Sequence, residues 1–305
     1  MDDKIAQKHN SGFVNIIGHP NVGKSTLMNA LLGENMSIVT SKPQTTRHRI
    51  FGILSGTDFQ IVFSDTPGII IDPRYKMQEH MNKFVEGSFE DADLFLFVVD
   101  KYDKYPAEDP IFDKFRKTKI PVILIINKSD LIPENDELER LSNEWKEKYP
   151  FDFIHPVSAL YKLGTQELLK RILEHLPESP AYFDKDHMSD RSERFFASEI
   201  IREKIFLHYK EEIPYSSEVA IDTFKEDETK DPMLIRIHAT IYVERKTQKS
   251  IIIGKGGEKI KQLGIDARKD LEKFFEAHVY LELFVKVKEN WRDDDQSLRH
   301  FGYTH

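Results

Sequence analysis

Short apolar runs recur through the first half of the chain and predict buried β-strands. The runs are FVNII at 13–17, FQIVF at 59–63, LFLFVV at 94–99, VILII at 122–126 and FIHPV at 153–157. The runs at 94 and 122 are continuously apolar and bounded by charge or proline, as strands buried on both faces of a parallel sheet are. They alternate with helix-like segments such as STLMNALLG and TQELLKRILEHL. This alternation predicts a doubly wound α/β domain with a mostly parallel sheet.

The pattern changes after residue 176, where PESPAYFDKDHMSDR combines two prolines with mixed charge. We predict a first domain at 8–176, a linker at 177–190 and a second domain at 191–305. There, the helix-like SEIIREKIFLHY precedes strand-like VAIDTF and LIRIHATIYVER, and the helix-like DARKDLEKFF precedes strand-like VYLELFVKVK. This grouping predicts a smaller α+β domain, with GKGG at 254–257 in a loop between two helical segments. The DDD sequence at 293–295 is interpreted as a solvated charge run.

A phosphate-binding loop is predicted at 18–25, where GHPNVGKS satisfies the pattern GxxxxGK[ST]. The motif follows the FVNII strand and opens the STLMNALL helix, so backbone N–H groups and the helix dipole face the phosphates. Lys24 is then expected to reach the β and γ phosphates, and the Ser25 hydroxyl to bind Mg²⁺. The candidate contacts are Gly18, His19, Pro20, Asn21, Val22, Gly23, Lys24, Ser25 and Thr26.

Two further motifs, each directly after a predicted strand, indicate which nucleotide binds. Asp65 of DTPG is expected to hold Mg²⁺ through water, while the Gly68 N–H meets the γ-phosphate. In NKSD, the two acceptor oxygens of Asp130 complement guanine N1–H and its exocyclic amine, and adenine has neither donor there. The ordered motifs resemble those of the translation-factor-related GTPases, and Ser158 and Ala159 resemble the last guanine contact of that family. The candidate contacts are Asp65, Thr66, Pro67, Gly68, Ile69, Asn127, Lys128, Ser129, Asp130, Ser158 and Ala159.

The polar stretch TSKPQTTRHRI lies where these GTPases keep a switch whose threonine binds Mg²⁺ when the γ-phosphate is present. Thr45 and Thr46 both qualify by residue type, and resemblance to the TTR pattern of related GTPases favours Thr46. The expected metal ligands are therefore Ser25, Thr46 and Asp65. The alternative is a polar loop whose threonines are satisfied by water.

The residue after DTPG is Ile69, where Ras-like enzymes place a glutamine that orients the attacking water. Because isoleucine neither donates nor accepts a hydrogen bond, slow intrinsic hydrolysis is expected. Related GTPases with asparagine in the position of Asn21 use it to hold K⁺ beside the phosphates, so the resemblance implies help from K⁺ and from a partner. The alternative is that Asn21 only shapes the loop. The candidate catalytic residues are Lys24, Asn21, Thr46, Asp65 and Gly68.

The GKGG sequence lacks the preceding strand and the hydroxyl residue after its lysine that a second nucleotide loop would need. Residues 245–261 around it carry six cations and one acid, Glu258, in a chain that is acidic overall. Following IIIG and preceding a helix, it resembles the GxxG loop of a KH domain, which clamps about four nucleotides of single-stranded backbone. The isoleucines would form an apolar floor under the bases, and the alternative is a solvated connection between two helices. The candidate RNA contacts are Arg245, Lys249, Ile252, Ile253, Gly254, Lys255, Gly256, Gly257 and Lys259.

Nearly the whole chain resembles one family, the Era family of bacterial GTPases. The resemblance is carried by GHPNVGKST, QTTRHR, DTPG and NKSD, followed by SERFFASEIIREKI, IIIGKGGEKIKQLGIDARKDLE and LFVKVKENW. It implies a ribosome-assembly GTPase whose KH domain binds the 3′ end of small-subunit (16S) ribosomal RNA, with occasional peripheral membrane association. The alternatives are a GTPase of tRNA modification or membrane-linked signalling with a partner-binding tail, and an RNA-binding protein with an inactive nucleotide fold.

Composition narrows the setting in which this protein is expected to work. The 305 residues include 39% hydrophobic and 31% charged residues and no cysteine, so disulfides and thiolate chemistry are excluded. No run approaches the roughly 18 apolar residues that cross a bilayer, and MDDKIAQKHNSG does not resemble a signal peptide, so we expect a cytosolic location. A net charge of −8 argues against nonspecific binding to nucleic acid, and we expect no DNA partner. It still permits a local basic patch.

Overall fold

The computed structural model describes residues 9–132 and 135–303, which separate into two compact units. Unit 1 comprises the described residues of 9–37, 46–71 and 81–190. Unit 2 comprises the described residues of 38–45, 72–80 and 191–303. No helix within the described ranges is long and apolar enough to cross a membrane.

Unit 1 is built on a six-stranded sheet with the order β2-β3-β1-β4-β5-β6. Its strands are β1 (Asn10–Ile17), β2 (Ile50–Ser55), β3 (Phe59–Asp65), β4 (Leu94–Val99), β5 (Val122–Ile126) and β6 (Phe153–Pro156). All neighbours pair in parallel except β2, which runs antiparallel to β3. All five apolar runs form strands, and the predicted mostly parallel sheet is confirmed. Strand β2 was not among the predicted strands.

Helices connect these strands and cover both faces of the sheet. They are α1 (Lys24–Leu32), α2 (Lys76–Gly87), α3 (Pro110–Thr118), α4 (Asn135–Lys148) and α5 (Thr165–His175), with a 3-10 turn at Ser129–Leu131. Every residue of β4 and β5 is buried, because helices pack on both sides of them. In α5 the apolar positions Leu168 and Ile172 are fully buried. The loops after β1, β3, β4, β5 and β6 meet at the carboxyl edge of the sheet, where ligands of such folds bind.

The segment predicted as a linker, 177–190, is hydrogen-bonded to unit 1. Glu178 forms an isolated bridge with Asn10, and Ser189 forms one with Gly52. The Gln60 side chain also binds this segment, because its Oε1 accepts from the backbone N–H groups at 182 and 183, at 2.8 and 2.9 Å. The segment therefore follows the surface of unit 1. The domain limits 8–176, 177–190 and 191–305 stay predictions, and the first of them, residue 8, lies outside the described residues.

Unit 2 has a three-stranded sheet, β7-β8-β9, in which β7 is antiparallel and β9 parallel to β8. Its elements are α6 (Glu193–His208), α7 (Ile213–Ser216), β7 (Ser217–Asp227), β8 (Leu234–Val243), α8 (Lys246–Ile253), α9 (Glu258–Phe275), β9 (His278–Val287) and α10 (Asp295–His300), with 3-10 turns at Lys255–Gly257 and Trp291–Asp293. Alternate residues of β8, from Ile235 to Val243, are buried in the core of the unit. The predicted α+β unit and the loop between two helices are confirmed. The three isoleucines at 251–253 form the end of α8.

The DDD sequence was interpreted as a solvated charge run, and its three residues are exposed, but two of them also accept backbone hydrogen bonds. Asp294 caps α10 by accepting from the Ser297 N–H at 2.8 Å. Asp293 accepts from the backbone N–H of Lys76, the first residue of α2, at 3.0 Å. Carboxylates are suitable acceptors for the unpaired N–H groups of a first helical turn. Asp295 forms a surface ion pair with Lys76.

Candidate functional site

The loop at 18–23 passes from β1 into the first turn of α1, as predicted. Gly23 has a φ of 95°, and a Cβ added there would come within 2.3 Å of the Asn127 side chain. Only glycine satisfies both conditions. In the described part of the chain no side chain caps the start of α1, so its first N–H groups point out of the helix unpaired by a cap. This is the arrangement that binds phosphate at a helix N-terminus.

Lys24 is buried, and the loop fixes the direction of its ammonium group. Nζ donates to the carbonyl oxygens of Gly18 and His19, both at 2.9 Å. Because an ammonium has three donors, one N–H remains for a phosphate oxygen. Burial lowers the pKa of Lys24 to about 8, although the negative charges of Asp65 and Asp103 oppose this shift.

Nucleotide affinity is expected to fall as the pH rises above about 8. The lowered pKa of Lys24 means that at higher pH a neutral amine replaces the charge that attracts phosphate. One pH unit above the pKa only about a tenth of the free protein is protonated, so affinity should fall by up to about 10-fold. Titrations with a fluorescent GDP analogue between about pH 7 and pH 9 measure this. In Lys24→Arg the guanidinium stays charged, so a wild-type curve as flat as the variant's would contradict the prediction.

Three oxygen-bearing side chains from three segments converge next to Lys24. Ser25 Oγ donates to Asp65 Oδ2 at 2.6 Å and lies 2.9 Å from Thr46 Oγ1. Thr46 Oγ1 also donates to Asp65 Oδ2, at 3.3 Å. Thr45 takes no part, because its hydroxyl donates to the Lys42 carbonyl at 2.8 Å. Of the two threonines that the sequence left open, Thr46 is the one whose hydroxyl lies beside Ser25 and Asp65.

The chemistry of this cluster fits a magnesium ion. Asp65 is fully buried, and no donor in the described ranges bonds its second oxygen, Oδ1. Burial raises the pKa of Asp65, while the Ser25 hydroxyl and the Lys24 charge oppose the rise. A buried carboxylate oxygen with no donor is suited to a cation or to water bound to that cation. Two hydroxyls and one carboxylate are the hard oxygen ligands that Mg²⁺ prefers.

The loops after β5 and β6 form the guanine end of the site. Asn127 joins them to the phosphate loop, because Nδ2 donates to the Val22 carbonyl at 2.8 Å and Oδ1 accepts from the Ala159 N–H at 3.0 Å. Asp130 is exposed, and its Oδ1 accepts a short hydrogen bond from the Ser158 hydroxyl. The carboxylate thus faces solvent in a fixed orientation. The role of Ser158 in orienting Asp130 was not predicted from the sequence.

The segment after β3 brings DTPG against the phosphate loop. A Cβ on Gly68 would come within 2.6 Å of Pro20, so the glycine is required by close approach. Ile69 is partly buried and packs against a hydrophobic cluster of unit 1. The next residue, Ile70, is bonded on both its N–H and C=O by the Asn82 side chain, at 3.0 and 2.8 Å. The side chain directly after DTPG therefore offers no polar atom to a water molecule.

The GKGG loop of unit 2 is open to solvent. Gly254, Gly256 and Gly257 have φ values of 73°, 62° and 82°, which favour glycine. A Cβ at Gly256 or Gly257 would meet nothing within 4 Å, so a strand can approach the backbone there. The exposed cations Lys255 and Lys259 flank this surface. Arg245 at the start of α8 is exposed, and Lys249 in its second turn is partly exposed.

One predicted RNA contact needs correction. Ile252 has no exposed surface and belongs to the core of unit 2, and its carbonyl accepts from the Tyr209 hydroxyl at 2.8 Å. It therefore supports the loop from below and offers no side-chain surface to a base. Ile253 is partly buried, and Ile251, which was not among the candidates, is 42% exposed. The helical phase of α8 decides which isoleucine faces solvent.

Two family models match the chain. A family described as 50S ribosome-binding GTPase matches residues 13–128, and the KH domain family matches residues 212–292. These matches agree with the predicted fold class of a GTPase domain followed by a KH domain.

Curated relatives and solved structures match over nearly the full length. The GTPase Era of Syntrophus aciditrophicus is 47% identical over 295 residues, which are 96% of this chain and 95% of the relative. Two crystal structures give a TM-score of 0.91 at 38% identity and cover 97% of this chain and 100% of theirs. One is an Aquifex aeolicus Era variant bound to GDP and AlF4⁻, and the other is Era with MgGDPNP and nucleotides 1506–1542 of 16S ribosomal RNA.

Proposed function

This chain belongs to the Era family of GTPases, and we propose that its two Gly-Lys loops hold two phosphate ligands, a guanine nucleotide and a strand of ribosomal RNA. Hydrolysis of GTP would switch the protein between two states while it acts in assembly of the small ribosomal subunit. The main observation that supports nucleotide binding is the convergence of Ser25, Thr46 and Asp65 beside Lys24. The RNA half is supported by the open GKGG loop and by the related Era structure that contains 16S ribosomal RNA.

Each part of the nucleotide has a proposed partner in unit 1. Lys24 and the N–H groups at the start of α1 bind the phosphates, and Asp130 binds guanine. Ser25 and Thr46 would ligate Mg²⁺ directly, and Asp65 would hold it through water. When bound, the ion neutralises charge that develops on the phosphate oxygens.

Hydrolysis by the chain's own residues is expected to be slow. Lys24 and the Gly68 N–H stabilise charge on the γ-phosphate, but Ile69 cannot orient the attacking water. A partner or a monovalent cation would have to supply the missing stabilisation. Stimulation by RNA or by the small subunit is the form of regulation that this arrangement favours.

Thr46→Val is expected to lower Mg²⁺-dependent GTP hydrolysis by about 10-fold or more, because it removes a ligand hydroxyl and keeps the side-chain shape. GDP affinity should change little, since the switch threonine acts when a γ-phosphate is present. Phosphate release measured across a magnesium titration tests this. Thr45→Val is the matched control, because the Thr45 hydroxyl faces the Lys42 carbonyl. Equal losses in the two variants would contradict the assignment of Thr46.

We also propose that Asn21 helps to hold K⁺ beside the phosphates. Asn21 has a φ of 66°, and its carbonyl accepts from Lys128 Nζ at 2.8 Å, so the position of the residue is well defined. Hydrolysis by the wild type should be at least about 5-fold faster in potassium chloride than in sodium chloride at equal ionic strength. Asn21→Ala should remove the difference. Equal wild-type rates in the two salts would leave Asn21 with a role in loop shape only.

The ribosomal role is tested by identifying the RNA that the protein binds in cells. Cross-linking followed by sequencing should recover the 3′ end of 16S ribosomal RNA. Recovery of transfer RNA, or of no RNA, would instead support the alternative of a GTPase that serves another process through its second unit. We further propose a cytoplasmic location with a small peripheral membrane share. Salt extraction of a membrane fraction would measure that share, because electrostatic attachment is released by salt.

A further inference from the structure

The loop after β4, residues 100–105, contacts the phosphate loop although none of the GTPase motifs includes it. Asp103 Oδ1 lies 3.0 Å from the Nδ1 atom of His19. Its other oxygen, Oδ2, accepts from the Asp100 N–H at 3.1 Å. The His19 ring also stacks on Tyr105, with centroids 4.0 Å apart and planes 8° from parallel. The His19 side chain is therefore contacted at its ring edge by the Asp103 carboxylate and on one ring face by Tyr105.

The contacts of the His19 side chain also fix the position of its backbone carbonyl, which contacts Lys24. The His19 carbonyl is one of the two oxygens that hold Lys24 Nζ, the other being that of Gly18. Because the three N–H bonds of an ammonium are tetrahedral, two fixed acceptors decide where the third N–H points. A rotation of the His19 peptide would turn that third donor away from the phosphates.

The same loop holds the opposite side of the phosphate loop. Asp100 Oδ2 lies 2.7 Å from Lys128 Nζ, and that ammonium donates to the Asn21 carbonyl at 2.8 Å. Residues 19 and 21 are thus both attached to residues 100–105, on either side of Pro20. The side chains of Asp103 and His19 are 12% and 27% exposed, so their contact is partly shielded from solvent.

We propose that Asp103 is a positioning residue for GTP hydrolysis, which through His19 fixes the carbonyl that directs Lys24 toward the γ-phosphate. The proposal rests on the nucleotide site described above and adds a residue to it. The negative charge of Asp103 also opposes the lowering of the pKa of Lys24, as expected for a carboxylate near that ammonium. The effect of the Asp103 hydrogen bond can be separated from that of its charge, because asparagine keeps an acceptor oxygen but is neutral.

The expected result is a loss of rate with little loss of nucleotide binding. Asp103→Ala should lower kcat for GTP about 10-fold, since small displacements of a catalytic group have large effects on rate. KM for GTP and the affinity for GDP should change less than about 3-fold, because the backbone N–H groups still bind the phosphates. Asp103→Asn should recover most of the lost rate. Asp113→Ala, which removes an exposed ion pair with Arg116, is the control and should behave as wild type.

A second variant separates this role from general damage to the loop. His19→Ala should lower kcat as much as Asp103→Ala does, and the double variant should lose no more than either single one, since both break the same link. Additive losses, equal losses in Asp103→Ala and Asp103→Asn, or parallel losses of kcat and GDP affinity would each overturn the proposal. A wild-type protein that binds no guanine nucleotide would instead overturn the nucleotide site itself.

Discussion

Asp130→Asn is expected to weaken GTP binding by about 100-fold, which is about 2.8 kcal/mol at 25 °C. The amide presents a donor where guanine also presents one, and charge-assisted hydrogen bonds to the carboxylate are lost. Xanthine carries an oxygen in place of the exocyclic amine, so the same change should improve the binding of xanthosine triphosphate. Competition of GTP and of xanthosine triphosphate against a fluorescent GDP analogue measures the change in relative affinity for the two nucleotides.

Ser158→Ala provides a graded comparison for this prediction. It removes the hydroxyl that bonds Asp130 Oδ1 but leaves the carboxylate in place. The loss of GTP affinity should therefore stay below about 10-fold, with no gain for xanthosine triphosphate. If Asp130→Asn bound GTP as tightly as the wild type, the assignment of guanine to this site would have no basis.

The double variant Lys255→Asp with Gly256→Asp is expected to abolish RNA binding while GTP binding survives. Two carboxylates on the open loop repel the RNA backbone. For single strands, each lost phosphate contact reduces the slope of log binding constant against log salt concentration by about 0.7. The nucleotide site belongs to unit 1, which has a core of its own. Paired titrations, one with a GTP analogue and one with RNA from the 3′ end of 16S ribosomal RNA, measure the two effects.

A matched control has the same change of charge at a different place. Gln166→Asp with Lys170→Asp also adds three negative charges, on exposed positions of α5 in unit 1. RNA affinity in this control should stay within about 3-fold of the wild type, because screening weakens distant surface charges. Loss of nucleotide binding with RNA binding intact in the Lys255 and Gly256 variant would mean that the second loop binds a different ligand. RNA-stimulated hydrolysis should fall with RNA binding, while the basal rate stays.

The features that the sequence predicted well are those with a strong local pattern. Continuously apolar runs such as the one at 122–126 identify buried parallel strands, because both faces of such strands need apolar residues. Strand β2 was missed, since IFGILS contains a glycine and shows neither a continuous run nor a strict alternation. The loop between α8 and α9 was found because three glycines and several lysines are rare together.

The features that could not be predicted depend on contacts between distant residues. Thr45 and Thr46 have the same chemistry, and only the position of Asp65 at the end of β3 separates them. Likewise, Ile251 and Ile252 differ only in the helical phase of α8, which places Ile252 in the core of unit 2 and leaves Ile251 exposed. Asp103 belongs to no motif, and its contact with His19 spans 84 positions of the chain.

The segment at 177–190, which follows the last helix of unit 1, has a consequence for how this protein avoids association with itself. Strand β2 is one of the two outer strands of its sheet, and an outer strand with unpaired N–H groups is a template for pairing with another chain. Here the Ile53 N–H donates to the Met188 carbonyl at 2.9 Å, and Ser189 Oγ donates to the Phe51 carbonyl at 2.6 Å. Residues 188–189 thus act as a cover over that edge. A fragment that ends at residue 176 would lose the cover and tend to aggregate, whereas one that ends at residue 190 would keep it.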